Sequence, residues 1–234
     1  MTRRVLRHHL PIALLSTVAM VVLLRLAPGD GGFQTWSIGT AYVGIALLAA
    51  TLITGPYAVL RGRRHPTSSD LRRDLGIWAG AFSLAHFVLG LQVHMKHRYL
   101  YWFREMGNSR LPIPRIDEFG LTNDLGLAAV VIAVVLLAIS NDFSLRALGA
   151  GRWKRIQQWN YWFVGLVLAH GVIFQFIEKR TWGLLLLEAG IVGVGAWFQL
   201  AGFRTRRATE QRMNASGDPR DLPVDPSSPR EAER

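Results

Sequence analysis

The sequence contains no cysteine, which excludes disulfides, iron–sulfur clusters and thiolate metal sites. Lysine is nearly absent as well, with only three among the 27 basic residues. No glycine-rich phosphate loop or dinucleotide fingerprint follows a predicted strand, which argues against a nucleotide-binding domain within the chain. Histidine is therefore the main candidate for binding a metal.

The formal charge of +11 comes almost wholly from arginine. In a soluble protein, such an excess would suggest a nucleic-acid partner. Here the basic residues flank long apolar runs, so membrane topology and anionic lipid headgroups explain them more simply. We expect membrane lipid as a partner and no nucleic acid.

Half of the residues are apolar, and they are gathered in runs of about 20, the length at which a helix crosses the hydrocarbon core of a bilayer. The sequence therefore predicts an all-α membrane protein, a polytopic bundle with six transmembrane helices. The predicted spans are residues 10–27, 36–60, 75–93, 121–140, 156–177 and 182–203.

Three further segments surround these spans. Residues 1–9 form a basic N-terminal arm before the six-helix domain of 10–203, and a retained first helix is favoured over a signal peptide because the cleavage pattern is poor. Residues 94–120 combine charges, aromatics and prolines, which predicts an amphipathic segment at the membrane surface. Residues 204–234 contain almost nothing apolar, which predicts a disordered cytoplasmic tail.

The basic residues also predict the orientation of the bundle. If the N-terminus is cytoplasmic, the arms and connections on that side carry sixteen Lys and Arg residues, against seven on the other side. Six spans with both termini cytoplasmic therefore satisfy the positive-inside rule.

Two histidines lie deep inside predicted spans, where an ionisable side chain is costly and suggests a functional site. His86 lies 13 residues past Arg73 and His170 lies 15 past Arg155, each counted from the last basic residue before the span. The two imidazoles are therefore about 20 and 22 Å from the basic edge, at similar depth. Facing imidazoles can supply both axial ligands of a haem iron. The alternative is that each histidine bonds a neighbouring helix and the small residues nearby serve helix packing.

Two stretches resemble the ferric reductase-like transmembrane family of membrane b-type cytochromes. They are RRDLGIWAGAFSLAHF at 72–87 and SNDFSLRALGAGRWKRIQQWNYWFVGLVLAHGVIF at 140–174. The closer likeness is to the haem-binding membrane subunits of bacterial periplasmic methionine sulfoxide reductase systems, over roughly residues 36–203. The resemblance implies a haem b with His86 and His170 as axial ligands of its iron. It also implies a multi-pass location in the bacterial cytoplasmic (inner) membrane.

In the family that the chain resembles, a second histidine precedes the one at His170 by 13 residues, and this chain has Gln157 there. Thirteen helical residues span about 19.5 Å, enough to place two haems at inner and outer levels. Glutamine is a poor replacement for an axial imidazole. We therefore expect one haem b per chain and a vacant second-haem position at Gln157.

Three other residues are candidates for the haem pocket or a quinol site. Arg25 could pair with a haem propionate or snorkel to the outer surface. His94, just past the third span, could bind a metal or a propionate, accept protons, or be an ordinary interfacial histidine, as could His97. Glu188 could carry protons for a quinol or bond a neighbouring helix.

The sequence predicts a membrane cytochrome that transfers electrons across the bilayer, an oxidoreductase subunit without a flavin or nicotinamide domain of its own. No catalytic residue is predicted, and flavin or quinone is a further candidate cofactor. The donor would be a quinol or a cytoplasmic flavin reductase, and the resemblance implies an extracytoplasmic oxidoreductase as acceptor. Two alternatives stay open: a direct ferric or other metal reductase at the outer face, and a membrane transport or assembly protein without haem.

Overall fold

The computed structural model describes residues 2–26, 32–62, 70–95, 103–104, 113–114, 116–179 and 181–216. A π-helical turn, Val5–His9, joins the first two helices. The helices are α1 (Thr2–Arg4), α2 (Leu10–Leu26), α3 (Phe33–Leu60), α4 (Asp70–Met95), α5 (Glu118–Ala138), α6 (Asp142–Gln157), α7 (Asn160–Ile177) and α8 (Trp182–Ser216). Two short strands, β1 (Phe103–Arg104) and β2 (Ile113–Pro114), pair antiparallel between α4 and α5.

Six helical stretches of the described residues are long and apolar enough to cross a membrane, which confirms the predicted six-helix fold. A helix satisfies its own backbone hydrogen bonds, so an apolar run of this length is stable as a helix in lipid. The cytoplasmic position of both termini stays a prediction. The six stretches are Val5–Leu26, Phe33–Leu60, Asp70–His94, Glu118–Ala138, Asp142–Ile177 and Trp182–Arg212.

Small residues allow the helices to approach closely. α3 packs against α2, α4 and α8, and α5 packs against α4 and α7. A Cβ added at Gly80 on α4 would lie 2.7 Å from the side chain of Leu137 on α5. A Cβ added at Gly202 on α8 would lie 2.8 Å from Pro56 on α3. Such contacts matter in a bilayer because van der Waals packing drives much of the association between helices there.

Many large apolar side chains face outward from the bundle, as a lipid-facing surface requires. Leu15, Trp162 and Phe176 are each more than 70% exposed. The interior also contains two buried apolar clusters, one around Ile38 and Tyr42 and one around Ala129 and Phe163. Apolar side chains thus occupy both the centre and the outside of the bundle.

Residues 2–9, which belong to the predicted basic N-terminal arm, are helical in the structure. They lie against the start of α4, where the side chain of Asp74 is fully buried. Arg4 forms a salt bridge to this carboxylate, Nδ1 of His8 lies 2.7 Å from Oδ2, and Nε2 of His9 lies 3.5 Å from Oδ1. The hydrogen bond to Asp74 raises the pKa of Arg4 above its ordinary value. A buried carboxylate needs such partners, which explains why this segment docks on the bundle.

Two other boundaries differ from the prediction. The residues before α7 form α6, which bends at Gly149, where φ is 72° and glycine is favoured. The last helix continues past the predicted end of its span, so residues 204–216 are helical instead of part of a disordered tail. Arg, Ala, Glu, Gln and Met, all strong helix formers, are frequent in this stretch. Residues 217–234 and most of the predicted surface segment 94–120 lie outside the described residues.

Candidate cofactor site

The two histidines predicted at similar depth face each other inside the bundle. His86 lies on α4 and His170 on α7, and both side chains are half-buried. Their ring centroids are 6.2 Å apart, and the ring planes are inclined at 76°. The structure therefore brings together two imidazoles that are 84 residues apart in the chain.

Backbone carbonyls of two other helices orient these rings. Nδ1 of His170 lies 2.8 Å from the carbonyl oxygen of Thr122 on α5, and Nδ1 of His86 lies 2.9 Å from that of Ser37 on α3. A carbonyl oxygen only accepts hydrogen bonds, so each Nδ1 carries the proton and donates it. In this tautomer, Nε2 has the lone pair that binds a metal, and the second hydrogen bond fixes the orientation of the ligand.

The separation of the rings fits a metal ion held between them. A metal–imidazole bond of about 2.0–2.1 Å on each side, plus about 1 Å from each nitrogen to its ring centre, gives about 6 Å between centroids. No group of three or more His, Cys, Asp or Glu side chains that could hold a bare metal ion occurs among the described residues. The pair therefore suits a prosthetic group that supplies the remaining ligands itself, as haem does.

A cavity of about 110 Å³ lies around the two rings and is open on one side. Sites that bind cofactors are concave and mostly apolar, with a few polar groups. Its walls come from α3, α4, α5, α7 and α8, and include the small residues Gly44, Gly90 and Gly126 together with Leu48 and Phe163.

A row of rings leads from the histidine pair toward the end of α7. The rings of His170 and Phe174 are 4.9 Å apart, and those of Phe174 and His94 are 4.8 Å apart, both measured between centroids. Nε2 of His94 then lies 3.5 Å from a carboxylate oxygen of Glu178. His170, Phe174 and Glu178 follow at intervals of four residues and so share one face of α7. The structure places His94 in the wall of the cavity, next to this face.

Glu188 lines the same cavity from α8, within a network of buried polar side chains. Tyr42 donates its hydroxyl hydrogen to the carbonyl oxygen of Leu184, 3.0 Å away. Nε2 of Gln175 donates to the hydroxyl oxygen of Tyr42 and to Oε2 of Glu188, the latter at 3.0 Å. Tyr42 and Gln175 are not predicted site residues. Gln175 is a polar residue inside an apolar run near the end of its span. That interruption is the sequence signal that could have identified Gln175 as a site residue.

The remaining predicted residues lie away from the cavity. Arg25 is exposed near the end of α2, and Gln157 is half-buried at the end of α6. Neither is among the residues that line the space around His86 and His170. His97 lies outside the described residues.

These features define a class of protein: a multi-pass helical membrane protein with two facing histidines in a cavity between its helices. The chain belongs to the family described as ferric reductase like transmembrane component, whose model matches residues 40–168, just over half of the sequence. The match includes His86 and ends two residues before His170. Membership confirms the family predicted from the sequence and indicates a membrane electron-transfer component. No solved structure matches the chain.

Proposed function

We propose that the protein is a membrane b-type cytochrome that transfers electrons across the bilayer through one haem b per chain, bound axially by His86 and His170. The observation that carries this proposal is the pair of facing imidazoles, with centroids 6.2 Å apart. The haem, when bound, supplies one-electron exchange between ferric and ferrous iron. Family membership supports the proposal because it independently indicates electron transfer.

The protein's own residues bind and tune this group. His86 and His170 offer Nε2, while the carbonyls of Ser37 and Thr122 keep Nδ1 protonated and hold the ring planes. A hydrogen bond at Nδ1 increases the basicity of the opposite nitrogen and fixes its direction. The apolar walls lower the local dielectric, and with the axial ligands they set the reduction potential.

The row of rings suggests where electrons leave. In the predicted orientation, His94 and Glu178 lie at the extracytoplasmic end of the cavity. The rings of Phe174 and His94 would then lie between His170 and an extracytoplasmic oxidoreductase. By the resemblance to methionine sulfoxide reductase membrane subunits, this acceptor is a molybdenum-containing sulfoxide reductase in the periplasm of a bacterium.

The electron donor follows from the vacant inner position. Gln157 offers no imidazole, so electrons from a cytoplasmic flavin reductase would travel further to reach the haem. A donor that dissolves in the membrane, such as a quinol, can instead approach the outer level directly. We therefore favour a quinol over a flavin reductase as the donor.

Proteoliposomes test electron transfer across the bilayer. Ferricyanide is trapped inside the vesicles and dithionite is added outside, so electrons must cross through the protein. We expect trapped ferricyanide to be reduced with the wild type and to remain oxidised with the His170→Ala variant. Equal rates for both proteins would overturn the proposal.

Direct reduction of ferric iron at the outer face is a second candidate. The observation that favours it is the contact of His94 with Glu178 beside the cavity, since imidazole and carboxylate both bind ferric iron. This candidate predicts that the reduced protein reduces ferric citrate without any protein partner. If ferric citrate does not reoxidise the reduced protein, electron transfer requires a partner protein and this candidate is wrong.

A further inference from the structure

A groove separates α7 from α8, although the two helices follow each other in the chain. α7 packs against α5 and α8 packs against α3, and neither helix is a main packing partner of the other. The space between them is a cavity of about 340 Å³ that is open on one side, and α3 contributes its third wall. Voids larger than a water molecule are rare in packed proteins, so this space calls for an occupant.

The groove is apolar along its length and polar at one end. Tyr161, in the first turn of α7, and Gln199, four residues before the predicted end of the last span, lie at the polar end. The amide of Gln199 donates to the carbonyl oxygen of Leu52 on α3, 2.9 Å away. In the predicted orientation this end faces the cytoplasm. The other walls are aliphatic or small, and none of the described residues that line the groove is charged.

The length of the groove matches one leaflet of a bilayer. On α8 it extends from Ile191 to Gln199, and eight helical residues rise about 12 Å. On α7 it extends from Tyr161 to Leu168, a rise of about 10.5 Å. Half of the hydrocarbon core of a bilayer is about 15 Å thick. The groove is therefore long enough for one acyl chain and too short for a ligand that crosses the membrane.

A cation follows the polar end of the groove on each side. Arg206 comes seven residues, or two helical turns, after Gln199 and so shares its face of α8. Lys154 comes seven residues before Tyr161, and backbone hydrogen bonds of Gln158 continue the helical path across the junction of α6 and α7. Both cations are exposed, and neither forms a salt bridge with another residue in the described part of the chain.

The depth of these cations corresponds to the layer of lipid head groups. Arg206 lies three residues past the predicted span 182–203, and Lys154 lies two residues before the predicted span 156–177. These offsets are about 4.5 and 3 Å along a helix. The head-group layer on each side of the hydrocarbon is about 5–7 Å thick. An apolar chain in the groove would therefore emerge between two unpaired positive charges at head-group level.

We propose that the groove between α7 and α8 binds a phospholipid with an anionic head group from the cytoplasmic leaflet. One acyl chain lies along α3, α7 and α8, and Arg206 and Lys154 bind the head group. Basic pockets between transmembrane helices on the cytoplasmic side are suited to such lipids. The bound lipid joins α7 to α8, which have few direct contacts with each other. The site does not include His86 or His170, so it is independent of the haem.

Three matched probes test the site on the full chain in a neutral detergent. Dioleoyl phosphatidylglycerol and dioleoyl phosphatidylcholine have the same chains, but only the first has a net negative charge. Glycerol 3-phosphate has an anionic head and no chain. Native mass spectrometry measures the binding of each probe. We expect phosphatidylglycerol to bind at least about tenfold more tightly than phosphatidylcholine, and glycerol 3-phosphate not to bind.

Substitutions of the two cations test the head-group contacts. Arg206→Gln and Lys154→Gln are each expected to weaken phosphatidylglycerol binding about fivefold and to leave phosphatidylcholine binding unchanged. Arg212→Gln is the matched control, because it removes an exposed cation from another face of α8, nine residues past the predicted span. This control should bind both lipids like the wild type.

A substitution inside the groove tests the place of the acyl chain. Ala196 is exposed on α8 and lines the groove, so the phenyl ring of Ala196→Phe fills the groove from its open side. We expect this variant to bind both lipids more weakly. Val194→Phe adds the same ring at a position that is 52% exposed and outside the groove, and it should leave both affinities unchanged. Thermal unfolding without added lipid verifies that both variants are folded.

The remaining outcomes would overturn the proposal in different ways. Equal affinities of the wild type for the two lipids would contradict the anionic head group. Binding of glycerol 3-phosphate as tightly as phosphatidylglycerol would indicate a site for a free phosphate ester. Unchanged lipid affinities in folded Ala196→Phe would place the acyl chain elsewhere. If the cation variants keep the full preference for phosphatidylglycerol, Arg206 and Lys154 do not bind its head group.

Discussion

Gly126 on α5 leaves the space that the imidazole ring of His170 occupies. A Cβ at position 126 would lie 2.8 Å from both Nδ1 and Cε1 of that ring. The carbonyl of Thr122, one turn earlier on the same helix, accepts the hydrogen bond from Nδ1. α5 therefore determines both the position and the tautomer of His170, although it contributes no proposed iron ligand.

Gly126→Ala is expected to displace the His170 ring and weaken haem binding. Substitutions beside a metal ligand typically lower metal affinity about 10- to 100-fold. The measurement is the haem content per chain of protein purified at limiting haem. Gly165→Ala on α7 is the control, because no heavy atom lies within 4 Å of the added Cβ. Full haem retention in Gly126→Ala would contradict the placement of the ring.

His94→Ala is expected to keep the haem and slow its oxidation from the outer face. The substitution removes the ring that packs on Phe174, 4.8 Å away, but neither proposed ligand. Haem content and the rate of oxidation by added ferricyanide are measured together. Val88→Ala, at an exposed position of the same helix, should match the wild type in both. Loss of haem in His94→Ala would show that His94 is itself an axial ligand.

Arg4→Ala is expected to destabilise the protein by about 1–3 kcal/mol, the range for a buried acceptor that loses one hydrogen-bond partner. The carboxylate of Asp74 is fully buried and would lose its guanidinium partner, while His8 and His9 still contact it. Thermal unfolding in detergent measures the effect. Arg3→Ala removes the same charge at an exposed neighbouring position and should unfold like the wild type. If the two variants unfold at the same temperature, the salt bridge does not hold the N-terminal segment on α4.

Gln157→Ala is expected to leave haem content and spectrum unchanged. The proposal places no haem at the inner position, so the Gln157 side chain at the end of α6 binds no haem that the substitution could remove. The pyridine haemochrome assay measures haem per chain in the variant and the wild type. A loss of about half the haem would show instead that Gln157 completes a second site.

The sequence predicts the helices and the depth of the histidines because both depend on distance along the chain. An apolar run of about 20 residues determines a span, and the number of residues from the basic edge determines depth. Whether His86 and His170 also face each other depends on the rotation of α4 and α7. Their packing against α3 and α5 sets that rotation.

The polar networks were harder to predict because their members are distant in sequence and chemically ordinary. Tyr42 and Gln175 are 133 positions apart, and neutral polar residues in membrane helices commonly serve packing. Asp74 follows two arginines at the edge of a span, a pattern that also arises from topology alone. Only the folded chain shows that its carboxylate is buried against Arg4, His8 and His9.

The most direct test is a reduced-minus-oxidised absorption spectrum of the purified protein, with haem quantified per chain. The His86→Ala and His170→Ala variants are measured beside the wild type after expression with ample haem. We predict about one bis-imidazole b-type haem per wild-type chain and its loss in both variants. A colourless wild-type protein would contradict the proposal that the protein is a cytochrome. It would leave the alternative of a membrane transport or assembly protein without haem.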